Sequence, residues 1–229
     1  MIRTLPRRTV LLSMLAAPIA LASCSDSGGG ASQAETPATP PANAPRASGT
    51  VDMAKLLEEG ALPEKVLGNA DAPVTILEYA SMTCGHCANF HNNTLPTIKT
   101  NYIDTGKARL IVREFPFDPR AEAGFMLARC SNDKYFQMVD VLFKQQQSWA
   151  GVENARESLL QIARLAGFSQ ESFEACLTDQ KLLEDVRAVR NRGANEFGVD
   201  ATPTFFINGN KYSGALTVAE MSAIIDSML

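Results

Sequence analysis

The chain predicts an α/β fold in which an all-helical block interrupts one sheet domain. Three observations predict it. Strand-like apolar runs occur at 73–79, 108–115 and 204–207. Between about 117 and 200 nothing reads as strand, and helical patterning recurs there instead. Strand character then returns, followed by a hairpin signal and a capped helix. With 45% hydrophobic and 20% charged residues, collagen, coiled coil and wholesale disorder are excluded.

The N-terminal region reads as an address rather than a fold. Residues 1–23 hold Arg3, Arg7 and Arg8, then a largely apolar stretch from Thr9 to Ala22. That is the plan of a signal peptide, and it is too short to span a bilayer. Ala20-Leu21-Ala22 offers cleavage before Ser23, whereas Leu21-Ala22-Ser23-Cys24 resembles the lipobox of bacterial lipoproteins, with Cys24 as lipid anchor. Either route predicts an oxidising compartment outside the cytosol, with membrane contact only through such an anchor. Residues 24–50 are expected to be a disordered tether. Of the 26 residues from 25 to 50, 21 are Ala, Gly, Pro, Ser or Thr, so little apolar surface offsets their ordering entropy. A flexible tether of this length reaches on the order of 30 Å. The net charge is −4, and more negative without 1–23, which argues against nucleic-acid binding.

The folded elements follow in order. Asp52–Glu59 reads as a short helix stopped at Gly60. Pro73–Tyr79 is β-branched and apolar without clear alternation, as expected of a strand covered on both faces. A helix is expected from about Gly85 to Tyr102, kinked at Pro96. Ala108–Phe115 is a second strand, closed by Pro116 and Pro119. Helical patterns fit 119–130, 133–148, 154–166 and 170–197, the last broken near Thr178-Asp179. Thr204–Ile207 is a strand, Asn208-Gly209 a hairpin turn into Lys211-Tyr212-Ser213, and Thr217–Glu220 a capping box. The expected organisation is 51–116 and 201–229 as two halves of the sheet domain, with 117–200 as the helical insertion.

The chemistry is expected at Cys84-Gly85-His86-Cys87. A Cys-x-x-Cys can be a zinc half-site, a copper(I) chelator or a redox pair. Here it follows a buried-type strand and opens a helix, where unpaired N–H groups and the positive end of the macrodipole favour a thiolate at Cys84. Cys87 lies one turn on, so a disulfide can open and close locally. Zinc usually takes four ligands, and His86 and His91 are the only histidines. No metal is expected, and His91 reads as an ordinary, partly buried helix residue. His86 is expected to donate to, or when protonated neutralise, the Cys84 thiolate. Each pKa unit of depression is worth about 1.4 kcal/mol, or roughly 30 mV for the two-electron couple, which makes the disulfide a stronger oxidant.

Leu77–Cys87, together with Ala201-Thr202-Pro203-Thr204-Phe205-Phe206-Ile207-Asn208-Gly209, resembles the thioredoxin superfamily. The helical insertion makes the chain similar to its DsbA-like branch, the bacterial periplasmic thiol:disulfide interchange proteins. The resemblance covers about 60–229 and implies a thioredoxin fold with an all-helical insertion. It implies Cys84 as nucleophile, Cys87 as buried resolving thiol, Pro203 in cis facing the disulfide, and Thr202 contacting the client backbone. Glu78 matches the family's buried acid, which relays protons to Cys87; the alternative for Glu78 is a strand-end ion pair. The resemblance implies no cofactor, exported unfolded polypeptides with free thiols as clients, and a quinone-linked membrane partner as reoxidant. Gly85-His86 instead resembles the loop of eukaryotic disulfide isomerases, and Thr202 stands where the best-studied member has valine.

Cys130 and Cys176 fall in the insertion, as two buried thiols or, given an oxidising compartment, a structural disulfide. The reading is therefore a thiol:disulfide oxidoreductase that introduces disulfides into exported proteins in the periplasm. Its rivals are an isomerase or reductase, and a non-catalytic copper-binding or chaperone module.

Overall fold

A computed structural model describes residues 44–229. The expected signal, Cys24 and the tether as far as residue 43 lie outside the described residues. In chain order the elements are β1 (Gly49–Thr50), α1 (Met53–Leu56), β2 (Val66–Leu67), β3 (Val74–Ala80), α2 (Gly85–Asn89), α3 (Leu95–Ile98) and β4 (Ala108–Glu114). The helical block follows as α4 (Pro119–Cys130), α5 (Tyr135–Lys144), α6 (Gln146–Trp149), α7 (Ala155–Leu165), α8 (Gln170–Thr178) and α9 (Gln180–Phe197). The chain closes with β5 (Thr204–Ile207), β6 (Asn210–Ser213) and α10 (Val218–Asp226).

The six strands form one sheet in the order β1-β6-β5-β3-β4-β2. Central β3 runs parallel to β4 and antiparallel to β5. All seven residues of β3 are buried, because both faces of the sheet are covered. Their period of two divides them. Val74, Ile76 and Ala80 enter the larger core with Phe90, Val112 and Phe205, while Leu77 and Tyr79 enter the smaller one with Phe115, Val189 and Phe206. Glu78 shares the parity of Ile76 and Ala80, and it pairs in register with Val112 and Phe205. A carboxylate is thereby aimed into the larger core. On the opposite face α9 packs closely: a Cβ on Gly193 would lie 2.7 Å from Tyr79 Cε1.

Several local features differ from the sequence expectation. Gly49–Thr50, in the stretch expected to be unstructured, pairs with β6, and Ser48 and Val51 donate backbone bonds of 2.8 Å to Lys211 and Gly209. A sheet edge supplies unpaired backbone groups, so this pairing needs no apolar side chain. β2 was not expected either; it adds two residues to the far edge, Val66 opposite Ile111. The first helix stops at Leu56 rather than Glu59. The helix beginning at Gly85 does not break at Pro96. It widens into π-helical stretches at Phe90–Thr94 and Lys99–Ile103 on either side of α3. Leu95 N–H bonds to Phe90 carbonyl, five residues back, so the ladder shifts where Pro96 has no N–H to offer.

The helical block is stapled by a disulfide between Cys130, at the end of α4, and Cys176 in α8. The Asn208-Gly209 turn has both residues at positive φ (44° and 85°), the pattern of a two-residue hairpin.

Candidate active site

The site lies where β3 gives way to α2. Ser81-Met82-Thr83 carries the chain off the sheet, and Cys84 N–H closes the turn on Ser81 carbonyl at 3.0 Å. Two residues of the helical block hold this turn. Asp118 caps α4 through the N–H groups of Arg120 and Ala121, and it also accepts from the Thr83 hydroxyl. Gln146, buried at the start of α6, donates its amide to Met82 carbonyl at 2.9 Å and Cys84 carbonyl at 3.0 Å.

Cys84 occupies the N-cap position, with extended backbone (φ −76°, ψ 119°), and is partly exposed. Cys87 is inside the first turn and fully buried. Both are unpaired. Their acidities diverge. Cys84 is lowered to about 5, first by a hydrogen bond from the Cys87 thiol, against the opposing effect of burial, then by Thr202 and by the backbone N–H groups of Cys87 and His86. Cys87 is pushed well above its ordinary value, chiefly by burial, then by its bond to Cys84 and by the charge of Glu78.

The Thr202–Pro203 peptide is cis. Thr202 presents two atoms of opposite effect. Its carbonyl lies 3.2 Å from Cys84 Sγ and accepts from the thiol, whereas its buried hydroxyl has no other partner and can donate to the thiolate. His86 is exposed, and its ring makes no hydrogen bond among the described residues. The backbone N–H of His86 is among the smaller influences that lower Cys84.

Glu78 is fully buried. Its Oε2 lies 2.8 Å from His91 Nε2, and its Oε1 has no hydrogen-bond partner. The structure therefore brings together Cys84 and Thr202, partly exposed, with Cys87 and Pro203 buried next to them and Glu78 and His91 beneath. Among the described residues no three His, Cys, Asp or Glu side chains converge as a metal site.

A family profile described as Thioredoxin matches residues 61–227. The chain belongs to the thioredoxin superfamily. Its DsbA-like branch is shown by solved relatives: Wolbachia pipientis alpha-DsbA1 is 35% identical, with a TM-score of 0.70 over 76% of this chain and 94% of that one. A Rickettsia bellii protein named putative protein-disulfide oxidoreductase is 34% identical over 72% of this chain and 64% of its own length. A Bacillus anthracis protein named probable disulfide bond formation protein D is 30% identical over 64% of this chain and 70% of its own length. The chain spans 54–64% of the length of the Rickettsia relatives it matches.

In this thioredoxin-like site, sequence reasoning missed Gln146, Asp118 and the partnership of His91. His91 had a signal: it lies at i+4 from Cys87, on the same helix face. Nothing in the sequence around Gln146 marks it, because its two acceptors are 64 and 62 residues away.

Proposed function

We propose that the protein is a thiol:disulfide oxidoreductase acting as an oxidant, which introduces disulfides into exported polypeptides with free thiols. The observation that carries this reading is the asymmetry of the pair: Cys84 is partly exposed and acidic, at about 5, and Cys87 is buried and held protonated. A client thiolate attacks Cys84 Sγ and expels Cys87. A second client thiolate attacks the client's sulfur, and Cys84 departs readily as a stabilised thiolate. The Thr202 carbonyl 3.2 Å from Cys84 Sγ supports Thr202 and Pro203 as the stretch along which an extended client backbone lies. That alignment supports a direct line of attack on Cys84 rather than on Cys87.

The reduced protein is returned to the disulfide by a quinone-linked membrane partner, and the site of action is the periplasm. The signal-like residues 1–23 support export, and Leu21-Ala22-Ser23-Cys24 supports tethering by lipid. Among the described residues no helix is long and apolar enough to cross a membrane.

Equilibration of the Cys84–Cys87 pair with glutathione tests the reading. An oxidant is expected well above the roughly −220 to −260 mV of a reducing glutathione pool. A potential within that range refutes the oxidant role and favours a reductase. Faster refolding of scrambled than of reduced client would favour an isomerase.

A further inference from the structure

Exchange at Cys84 leaves one feature of the site unused, the buried pair of Glu78 and His91. Both are shielded from water, Glu78 at 0% and His91 at 4% exposure, and they face each other at 2.8 Å. The pair is lopsided. Glu78 spends Oε2 on His91 and leaves Oε1 empty in the core that also holds Cys87. A buried oxygen without a partner calls for an account, since nearly all such groups are satisfied. The Glu78 charge is also felt at Cys87.

His91 has a second side. Its ring stacks on Phe143 of α5 at 4.3 Å and 27°, and meets Phe90 edge-on at 5.3 Å. It also lines an open groove of about 380 Å³ between its own helix and α5, together with Leu67, Leu95, Phe136 and Lys144. His91 thus touches the buried carboxylate on one side and the floor of a solvent-facing groove on the other.

We propose that His91 is a positioning residue that passes protons between this groove and Cys87 by way of Glu78. The proposal rests on the exchange reading above. When a client thiolate bonds to Cys84, the Cys84–Cys87 bond breaks and its electron pair leaves on Cys87. A thiolate is unfavourable in that buried place. The Glu78 carboxylate takes a proton at Oε2 from the His91 imidazolium and passes a proton on to Cys87 Sγ, and the imidazole is reprotonated by water in the groove. After the second client thiolate attacks, the products are the client disulfide, a Cys84 thiolate and a Cys87 thiol, and one proton has been taken up from solvent. Reoxidation by another disulfide runs the steps backwards, and Cys87 loses that proton along the same path.

Titratable and charged groups surround the His91 imidazole. Glu78 faces it from β3. Cys87 and Lys99 share its helix, and Asp140 and Lys144 stand on α5 at the groove. Tyr135 on α5 and Glu114 on β4 lie in the same core. Asp140 and Lys144 pair with each other at 2.7 Å, and Lys99 pairs with Asp104, so these groups add no net charge at the groove.

The test isolates the attack of Cys87. Glutathione is trapped on Cys84 as a mixed disulfide, and its release is followed by rapid mixing between about pH 5 and 8, the range in which histidine titrates. His91→Gln keeps a donor to Glu78 but cannot change charge. It is expected to slow release by about tenfold or more near neutrality and to flatten the pH profile. Glu78→Gln should be as slow, and the double variant no slower than Glu78→Gln alone. An unchanged rate and profile in His91→Gln, or additive losses in the double variant, overturn the proposal. Should His91→Gln fail to fold, the ring ¹⁵N shifts of His91 in the wild-type chain decide: midpoints that differ between oxidised and reduced protein support the relay, and identical midpoints overturn it. A wild-type chain that forms no mixed disulfide overturns the exchange reading, and this proposal with it. One that releases glutathione equally fast with and without His91 overturns this proposal alone.

Discussion

Replacing Cys87 with alanine removes the donor that contributes most to holding Cys84 at about 5. A hydrogen bond to a charged group is worth about 1.5–3 kcal/mol when shielded. Cys84 is only partly buried, so solvent screening reduces that to about 1–1.5 kcal/mol. At about 1.4 kcal/mol per pKa unit, Cys87→Ala should raise the Cys84 midpoint by about one unit, to roughly 6. Cys87→Ser keeps a donor in the same place and should stay near the wild-type value. The assay is the thiolate absorbance of the reduced protein against pH, checked by the pH dependence of alkylation at Cys84. Coincident titrations of the two variants would show that the donor is not Cys87. Midpoints of both near the ordinary thiol value of about 8.5 in the wild-type background as well would refute the whole electrostatic account of the site.

Three further outcomes follow from the same geometry. The stability gap between reduced and oxidised protein should depend on pH with a definite sign. Cys84 has a folded pKa below its unfolded value, so its contribution is fully present above about 8.5–9 and is lost as pH falls through about 5. Cys87 is raised instead, so its contribution is present below its unfolded value and is lost only at higher pH. Paired denaturant titrations should therefore show the gap widening from about pH 5 to 8.5, and a gap that narrows over that range contradicts the assignment. Gln146→Ala leaves Met82 and Cys84 carbonyls without their shared donor, and should cost about 1–3 kcal/mol in urea unfolding; a loss below about 0.5 kcal/mol would mean that the turn holds without it. Replacing both Cys130 and Cys176 with alanine opens a staple between residues 46 apart, with a stability loss of up to about 4 kcal/mol while the Cys84 midpoint stays in place. A shifted midpoint would show that the staple reaches the site.

How far the sequence reveals this structure depends on the range of the interaction. β3, β4 and β5 were legible because their burial on both faces leaves continuous apolar runs. The ends of α4, the break at Asp179 and the Thr217 capping box were legible because caps are local chemistry. β1 and β2 were not, since two-residue pairings at sheet edges are made by backbone and leave no side-chain period. The π-helical stretches on either side of α3 were not legible either, because a π-turn that accommodates a proline has no sequence signature of its own. In the site, Cys84 and Cys87 were marked by their spacing at a strand–helix junction. His86 drew attention by its place between them, and its exposed ring makes no hydrogen bond among the described residues. His91 looked ordinary because its partner arrives from a strand 13 residues earlier, and only the sheet register brings them together.

One geometric fact generates most of the chemistry. The chain leaves β3, turns at Ser81–Thr83 and enters a helix, and the two sulfurs fall on either side of that entry. Position 84 is the N-cap, outside the helical ladder, so its side chain stays near water and meets the free N–H groups of the first turn. Position 87 is three residues inside, on the face turned to the larger core, so its side chain is buried against the sheet. The same three-residue spacing thus lowers one pKa and raises the other. The parity of β3 then decides what the buried sulfur meets. An odd position would have sent a carboxylate toward α9 and Tyr79. The even position of Glu78 sends it into the core that Cys87 and His91 share. A one-residue slip of β3 against β5 would turn the acid to the other face of the sheet. The register of the central strand is therefore as much a part of the candidate site as the cysteines are.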